Sequence, residues 1–130
     1  MKKNSLKLAA LFGATAVILG AFGAHALKNQ LTPKALEIFQ TGVTYQFYHA
    51  LALLGLACLP GAVSKWYKVA QISFAVGILG FSGSLYLLAC RALFSIEHLT
   101  PVLGPITPLG GTCFIIAWAC VFLHAKNNVD

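Results

Sequence analysis

GAFGAHALKNQL, residues 20–31, closes the first apolar run of the chain. Its Ala24-His25-Ala26 has the A-x-A form of a signal-peptide cleavage site, and MKKNSLK ahead of the run has the character of a basic leader. The same residues also fit the end of a membrane helix that stays in the protein. Run length separates the two readings. Residues 8–26 give about 19 largely apolar positions, against about 7–15 for a signal peptide and about 17–25 for a bilayer-crossing helix. Small residues recur inside the run. Gly13, Ala16, Gly20 and Gly23, at 3-4-3 spacing, draw a smooth stripe along one helix face, the pattern by which helices approach closely in lipid. We read the segment as a retained helix.

Composition points the same way. The chain is 58% hydrophobic and 9% charged, with three acidic residues among 130. Soluble domains are about 25% charged, and a soluble fold could not cover its surface with so few charges. Four apolar runs follow, at about 8–26, 44–59, 69–90 and 106–125. The second is short. Thr32-Pro33 is a helix-start signal that extends it backwards, so residues 33–43 are expected to form an interfacial helix leading into the span. The pattern predicts an all-α, integral membrane four-helix bundle in one domain, 1–130. Four spans put Lys2, Lys3, Lys7, Lys65, Lys68 and Lys126 on one side and Lys28, Lys34 and Arg91 on the other. The positive-inside rule then sets both termini in the cytoplasm. Trp66 and Tyr67 are expected in an interfacial belt on that side. Basic residues cluster at the ends of runs and form no stripe, so nucleic acid is not an expected partner. The four cysteines, Cys58, Cys90, Cys113 and Cys120, sit in apolar runs without a CxxC pair, and no metal site is expected.

The later runs repeat the small-residue device. Ser73, Gly77, Gly80 and Ser84 fall at 4-3-4 spacing, Gly110, Cys113, Ala117 and Cys120 at 3-4-3, and the second run offers Ala52 and Gly55. A packing seam of Gly13, Gly20, Gly23, Gly77, Gly80, Ser84 and Gly110 is therefore expected to close the bundle tightly.

Polar residues inside a membrane are expensive, so their placement is informative. With spans running alternately outward and inward, His25, the group Tyr45, Gln46, Tyr48 and His49, Arg91, and the GPITPLGG stretch (104–111) with Thr107 all fall in the outer half. These are the candidate ligand-binding residues: His25, Tyr45, Gln46, Tyr48, His49, Arg91 and Thr107. The cytoplasmic half reads as nearly bare, with His98 and His124 interfacial. GPITPLGG, rich in proline and glycine, reads as a loop folded over the polar layer, with Pro108 in the first turn of the fourth helix. His49 serves either as an interhelical hydrogen-bonding group or as a ligand or proton-handling group. Arg91 either snorkels to water or pairs with a carbonyl or Glu97. His25 lies off the seam at the edge of this layer.

GAFGAHALK (20–28), TGVTYQFYHALAL (41–53), FSGSLYLL (81–88) and GPITPLGG (104–111) together resemble the DUF 423 family of small bacterial inner-membrane proteins, itself similar to the animal transmembrane protein 256 family. The resemblance implies a multi-pass protein of the bacterial inner (plasma) membrane that keeps GAFGAHALK, and it transfers no activity. The expected function is that of a non-enzymatic structural or accessory membrane component, surrounded by lipid bilayer and associating as a homo-oligomer or within a larger membrane complex. The alternative is a binding module for a lipid, quinone or similar amphiphile at the outer polar cluster. No cofactor is expected. The one cofactor alternative is haem held by His25 and His49, since imidazoles serve as axial ligands. No catalytic triad, paired carboxylates or metal spacing is present.

Overall fold

A computed structural model describes residues 1–128. Its regular elements are all helical: α1 (Lys2–His25), α2 (Pro33–Cys58), α3 (Lys65–Gly77), a π-helical turn (Ile78–Ser82), α4 (Gly83–Ala89), a 3-10 turn (Glu97–Leu99) and α5 (Thr100–Asn128). α3, the π turn and α4 run on without a break as one rod, Lys65–Ala89. α1 packs along α2 and α3 along α5, while α4 touches both α2 and α5.

Local chemistry explains the helix starts. Thr32 caps α2, accepting from the Ala35 amide at 3.2 Å, and Pro33 follows at the first helical position. Ser64 caps α3 in the same way through the Tyr67 amide at 3.2 Å. α2 continues unbroken from Pro33 to Cys58, so residues 33–43 and 44–58 are one helix of 26 residues, about 39 Å long at 1.5 Å per residue.

GPITPLGG is not a loop. Residues 104–111 lie well inside α5, and Pro105 and Pro108 are interior to it. Each proline removes one backbone hydrogen bond. An eight-residue loop would instead leave most of its amides and carbonyls without partners away from water. Proline and glycine are accordingly commoner in membrane helices than in soluble ones.

Among the described residues, three helices are long and apolar enough to cross a membrane: Lys2–His25, Lys65–Ala89 and Glu97–Asn127. α2 is long enough, but Thr41, Thr44, Tyr45, Gln46, Tyr48 and His49 lower its mean hydropathy. The outward surface is apolar, with Ile115 71% exposed and Phe122, Leu109, Leu79 and Ile18 similarly turned out. In water this surface would be a liability of the kind that marks membrane or partner contact. The main core joins Leu53, Leu56, Tyr67, Phe74 and Phe114. A smaller one at the opposite end joins Leu27, Phe39, Ala89 and Cys90.

The glycines divide into two groups. An added Cβ at Gly23 would lie 3.0 Å from the Phe39 ring, at Gly20 3.3 Å from Val43, at Gly77 2.5 Å from the Phe114 ring and at Gly80 3.3 Å from the Gly110 Cα. At Gly110 it would strike the Phe81 amide nitrogen and lie 2.8 Å from the Gly80 carbonyl carbon. Ser84 bonds Thr107 at 2.6 Å across the same interface. Gly13, expected in the seam, meets nothing within 4 Å, nor does Gly55. At its level α1 is separated from α2 by a groove lined by Ala9, Ala10, Ala50 and Leu54.

Candidate functional site

α1 and α2 run antiparallel in a definite register. Gly23 faces Phe39, Gly20 faces Val43, the Gln46 amide reaches Thr15, and Lys2 donates to the Leu59 carbonyl. His49 therefore lies level with Gly13, midway along α1, and about 18 Å along the axis from the level of His25 at 1.5 Å per residue. The expectation of an outer position for His49 took residue 44 as the start of the span, with residues 33–43 as an interfacial helix leading into it. α2 runs as one helix from Pro33 to Cys58, so Tyr45 to His49 occupy its middle. The structure does not bring His25 and His49 together: His25 is exposed at the end of α1.

Gln46 is the centre of one buried network. Its Nε2 donates to the Phe12 carbonyl at 2.9 Å and to Thr15 Oγ1 at 2.8 Å, and its Oε1 accepts from the Tyr86 hydroxyl at 2.7 Å. One side chain thus ties α1, α2 and α4 together. Tyr86 lies over Gly42, where a Cβ would come within 2.8 Å of the ring, and 4.9 Å between centroids from Phe39. Gly42 was missed from the sequence. The signal was present: Gly42 and Gln46 are four apart and share a face.

His49 faces the other way, toward α3 and α5. Its ring stacks on Phe114 with centroids 3.5 Å apart and planes within 2°. Nδ1 lies 2.7 Å from the Tyr45 carbonyl, which can only accept, so Nδ1 carries the proton. Nε2 is left to accept from Trp118 Nε1–H at 3.4 Å. This pairing assigns the neutral tautomer and occupies both nitrogens.

The remaining candidates scatter. Tyr45 and Tyr48 turn outward, 41% and 59% exposed. Thr107 joins Ser84 between α4 and α5. Arg91 lies past the end of α4, among the described residues without an ion pair to Glu97. Of the sequence-predicted ligand residues, Gln46, His49 and Thr107 join helices, Tyr45, Tyr48 and His25 are exposed, and Arg91 lies past the end of α4.

A second polar cluster corrects the expectation of a bare cytoplasmic half. Tyr67 and His124, expected at an interface, are both 0% exposed. The Tyr67 hydroxyl donates to Ser5 Oγ at 2.9 Å, Ser64 Oγ lies 2.8 Å from His124 Nδ1, and Gln71 Nε2 donates to the Met1 carbonyl at 3.3 Å. These bonds join the start of α1, the start of α3 and the end of α5, so the ends carrying Lys2, Lys3, Lys7, Lys65, Lys68 and Lys126 meet at one pole.

The opposite pole is cleft. A cavity of 280 Å³ between α1, α2 and α4 is lined by Leu19, Phe22, Leu27, Phe39, Tyr86, Leu87 and Phe94, with Cys90 in its wall. A neighbouring pocket of 350 Å³ is lined by Thr32, Lys34, Ile38 and Arg91. Gln30 and Leu93 line both. The Lys34–Glu37 pair beside it, 3.0 Å, is solvent-exposed.

Three membrane-length apolar helices, an apolar exterior and polar groups bonded to one another define a helical membrane protein. Comparison with known proteins gives the family. The model of the family described as "Protein of unknown function (DUF423)" matches residues 19–111. A UPF0382 membrane protein of Haemophilus influenzae is 43% identical over 118 residues, covering 91% of this chain and 90% of its own. The UPF0382 membrane protein YwdK of Bacillus subtilis is 41% identical, over 91% of this chain and 92% of its own. The UPF0382 inner membrane protein YgdD of Escherichia coli K12 is 39% identical, over 92% and 87%. The chain belongs to the DUF423 family. No solved structure matches it.

Proposed function

We propose that the protein is a four-span component of the bacterial inner membrane, with both termini cytoplasmic, that acts without catalysis by assembling with itself or within a larger membrane complex. The observation that carries this reading is that two of the four open helical glycines, Gly13 and Gly55, line grooves on the outward surface. A glycine inside a helix is about 1 kcal/mol less favourable than alanine. Gly20, Gly23, Gly77, Gly80 and Gly110 offset that by close approach inside the molecule. Gly13 and Gly55 make no such approach, and each lines a groove on the outward surface, Gly13 with Ala9 and Ala10, Gly55 with Tyr48 and Trp118. Small residues on a lipid-facing surface suit the close docking of another helix. Gly83 and Gly104 are also open, beside the π turn and within the proline stretch.

Two measurements test this. Native mass spectrometry from mild detergent is expected to show oligomers or co-purified subunits, and Gly13→Leu with Gly55→Leu to abolish association without lowering the melting temperature. A strict monomer without partners removes the assembly reading. For topology, a C-terminal green fluorescent fusion is expected to fluoresce and a C-terminal alkaline phosphatase fusion to be inactive; the reverse pattern inverts the orientation.

A second reading, binding of a lipid, quinone or similar amphiphile at the outer end, is favoured by the apolar cavity between α1, α2 and α4. It lies at the pole that the charge bias assigns to the outer face.

A further inference from the structure

We infer that this pole holds one phospholipid-like amphiphile with an anionic, phosphate-type head, its head on Arg91 and Lys34 and an acyl chain in the slot walled by Phe22, Leu87 and Phe94. The inference rests on the second reading above and adds the chemistry of the head. Three observations combine. The slot is almost wholly apolar, and Phe22, Leu87 and Phe94 are 53%, 42% and 58% exposed, so it opens sideways to the surroundings of the helices. The adjoining pocket carries two cations, Arg91 and Lys34, and joins the slot through shared walls at Gln30 and Leu93. Each cavity is near the lower bound of the about 300–1,000 Å³ usual for ligand sites.

Charge selects the occupant. Guanidinium binds phosphate oxygens bidentately. The first turn of α2, with Thr32 and Ala35 in the same pocket wall, adds its positive dipole end. A neutral quinone would leave Arg91, among the described residues, without a counter-charge, since only Lys34 has a partner of its own, the exposed Glu37 at 3.0 Å. A free phosphate would leave the slot without a use. An amphiphile that is apolar along one end and anionic at the other fits both parts in their observed order, and the boundary between them falls where α1, α2 and α4 end near the membrane interface.

The test uses the full chain in nanodiscs containing equimolar phosphatidylglycerol and phosphatidylcholine with identical acyl chains, released for native mass spectrometry. Retention of phosphatidylglycerol over phosphatidylcholine by about tenfold or more is expected for two cations at a lipid headgroup. In Arg91→Gln with Lys34→Gln the preference should fall close to onefold. Inorganic phosphate at millimolar concentration should not displace the lipid. Because the double variant could be unstable, a phosphatidylglycerol with a photoactivatable acyl chain is used on the unaltered protein, and crosslinks are expected on Phe22, Leu87 or Phe94. Equal retention of the two lipids, an unchanged preference in the double variant, or displacement by phosphate overturns the anionic head. Crosslinks at the slot alongside equal retention would leave the amphiphile reading standing, whereas crosslinks confined to the outer face of α5 would remove both. The same spectra report oligomeric state separately.

Discussion

Gly110→Ala is expected to destabilise the protein by about 3 kcal/mol, the upper end of the usual overpacking range. The added methyl would meet backbone, namely the Phe81 amide nitrogen and the Gly80 carbonyl carbon, and backbone cannot rotate aside as a side chain can. Alanine's better helix propensity returns only about 1 kcal/mol. Neighbouring Gly111 is the control, because its Cβ would lie 3.7 Å from the Phe81 ring, an ordinary contact. Gly111→Ala should therefore be neutral or slightly stabilising. Thermal unfolding of both variants in dodecyl maltoside measures the contrast. If Gly110→Ala melts with the unaltered protein, the close crossing of α5 over the π turn is wrong.

Gln46→Leu carries the second large effect. It removes three hydrogen bonds that join three helices, and it leaves the Tyr86 hydroxyl without its acceptor in a buried position. Interhelical hydrogen bonds in membranes average about 0.6 kcal/mol and reach about 1.7. An unpaired buried polar group adds about 1–3 kcal/mol. A loss of about 2–3 kcal/mol is therefore expected for Gln46→Leu, and about 1 kcal/mol for Tyr86→Phe, which leaves Gln46 two of its bonds. The double variant should recover part of the sum, since it removes both ends of one bond. Unfolding in a graded SDS and dodecyl maltoside mixture gives all three values. Strict additivity would mean that the two side chains do not meet.

How far the sequence reaches can be judged from these same residues. Thr32-Pro33 announced the start of α2 correctly because capping is a local matter. Gly20, Gly23, Gly77, Gly80 and Gly110 announced close approach, since a missing Cβ has few other uses inside a helix. The family was legible in four stretches spread along the chain. Three things were not legible. Residues 104–111 read as a loop because proline and glycine break helices in water, where loop backbone is solvated, and that penalty reverses in an apolar setting. His49 lies midway along α2 and level with Gly13, a register that packing of α2 on α1 sets and no single segment displays. The burial of Tyr67 and His124 did not show in the sequence because their partners, Ser5 and Ser64, lie about sixty residues away and belong to other helices. The candidate ligand residues were individually well chosen as polar residues in an apolar chain, but pairing consumes Gln46, His49 and Thr107. The cleft at the pole opposite the clustered lysines left no trace in any single segment, since its walls come from three helices and a turn.

The π turn at Ile78–Ser82 has a consequence for the phase of its rod. One extra residue in a turn offsets everything after it by about 100° relative to a regular helix. Before the turn the rod presents Phe74 and Gly77 to α5; after it, Tyr86 points to Gln46 and Gly42 on α2. After the turn the rod reaches two neighbours at once, α5 through Ser84 and α2 through Tyr86. Deleting one residue from 78–82 would restore regular phase and swing Tyr86 off Gln46, so in this segment chain length, more than residue identity, governs which helices recognise one another.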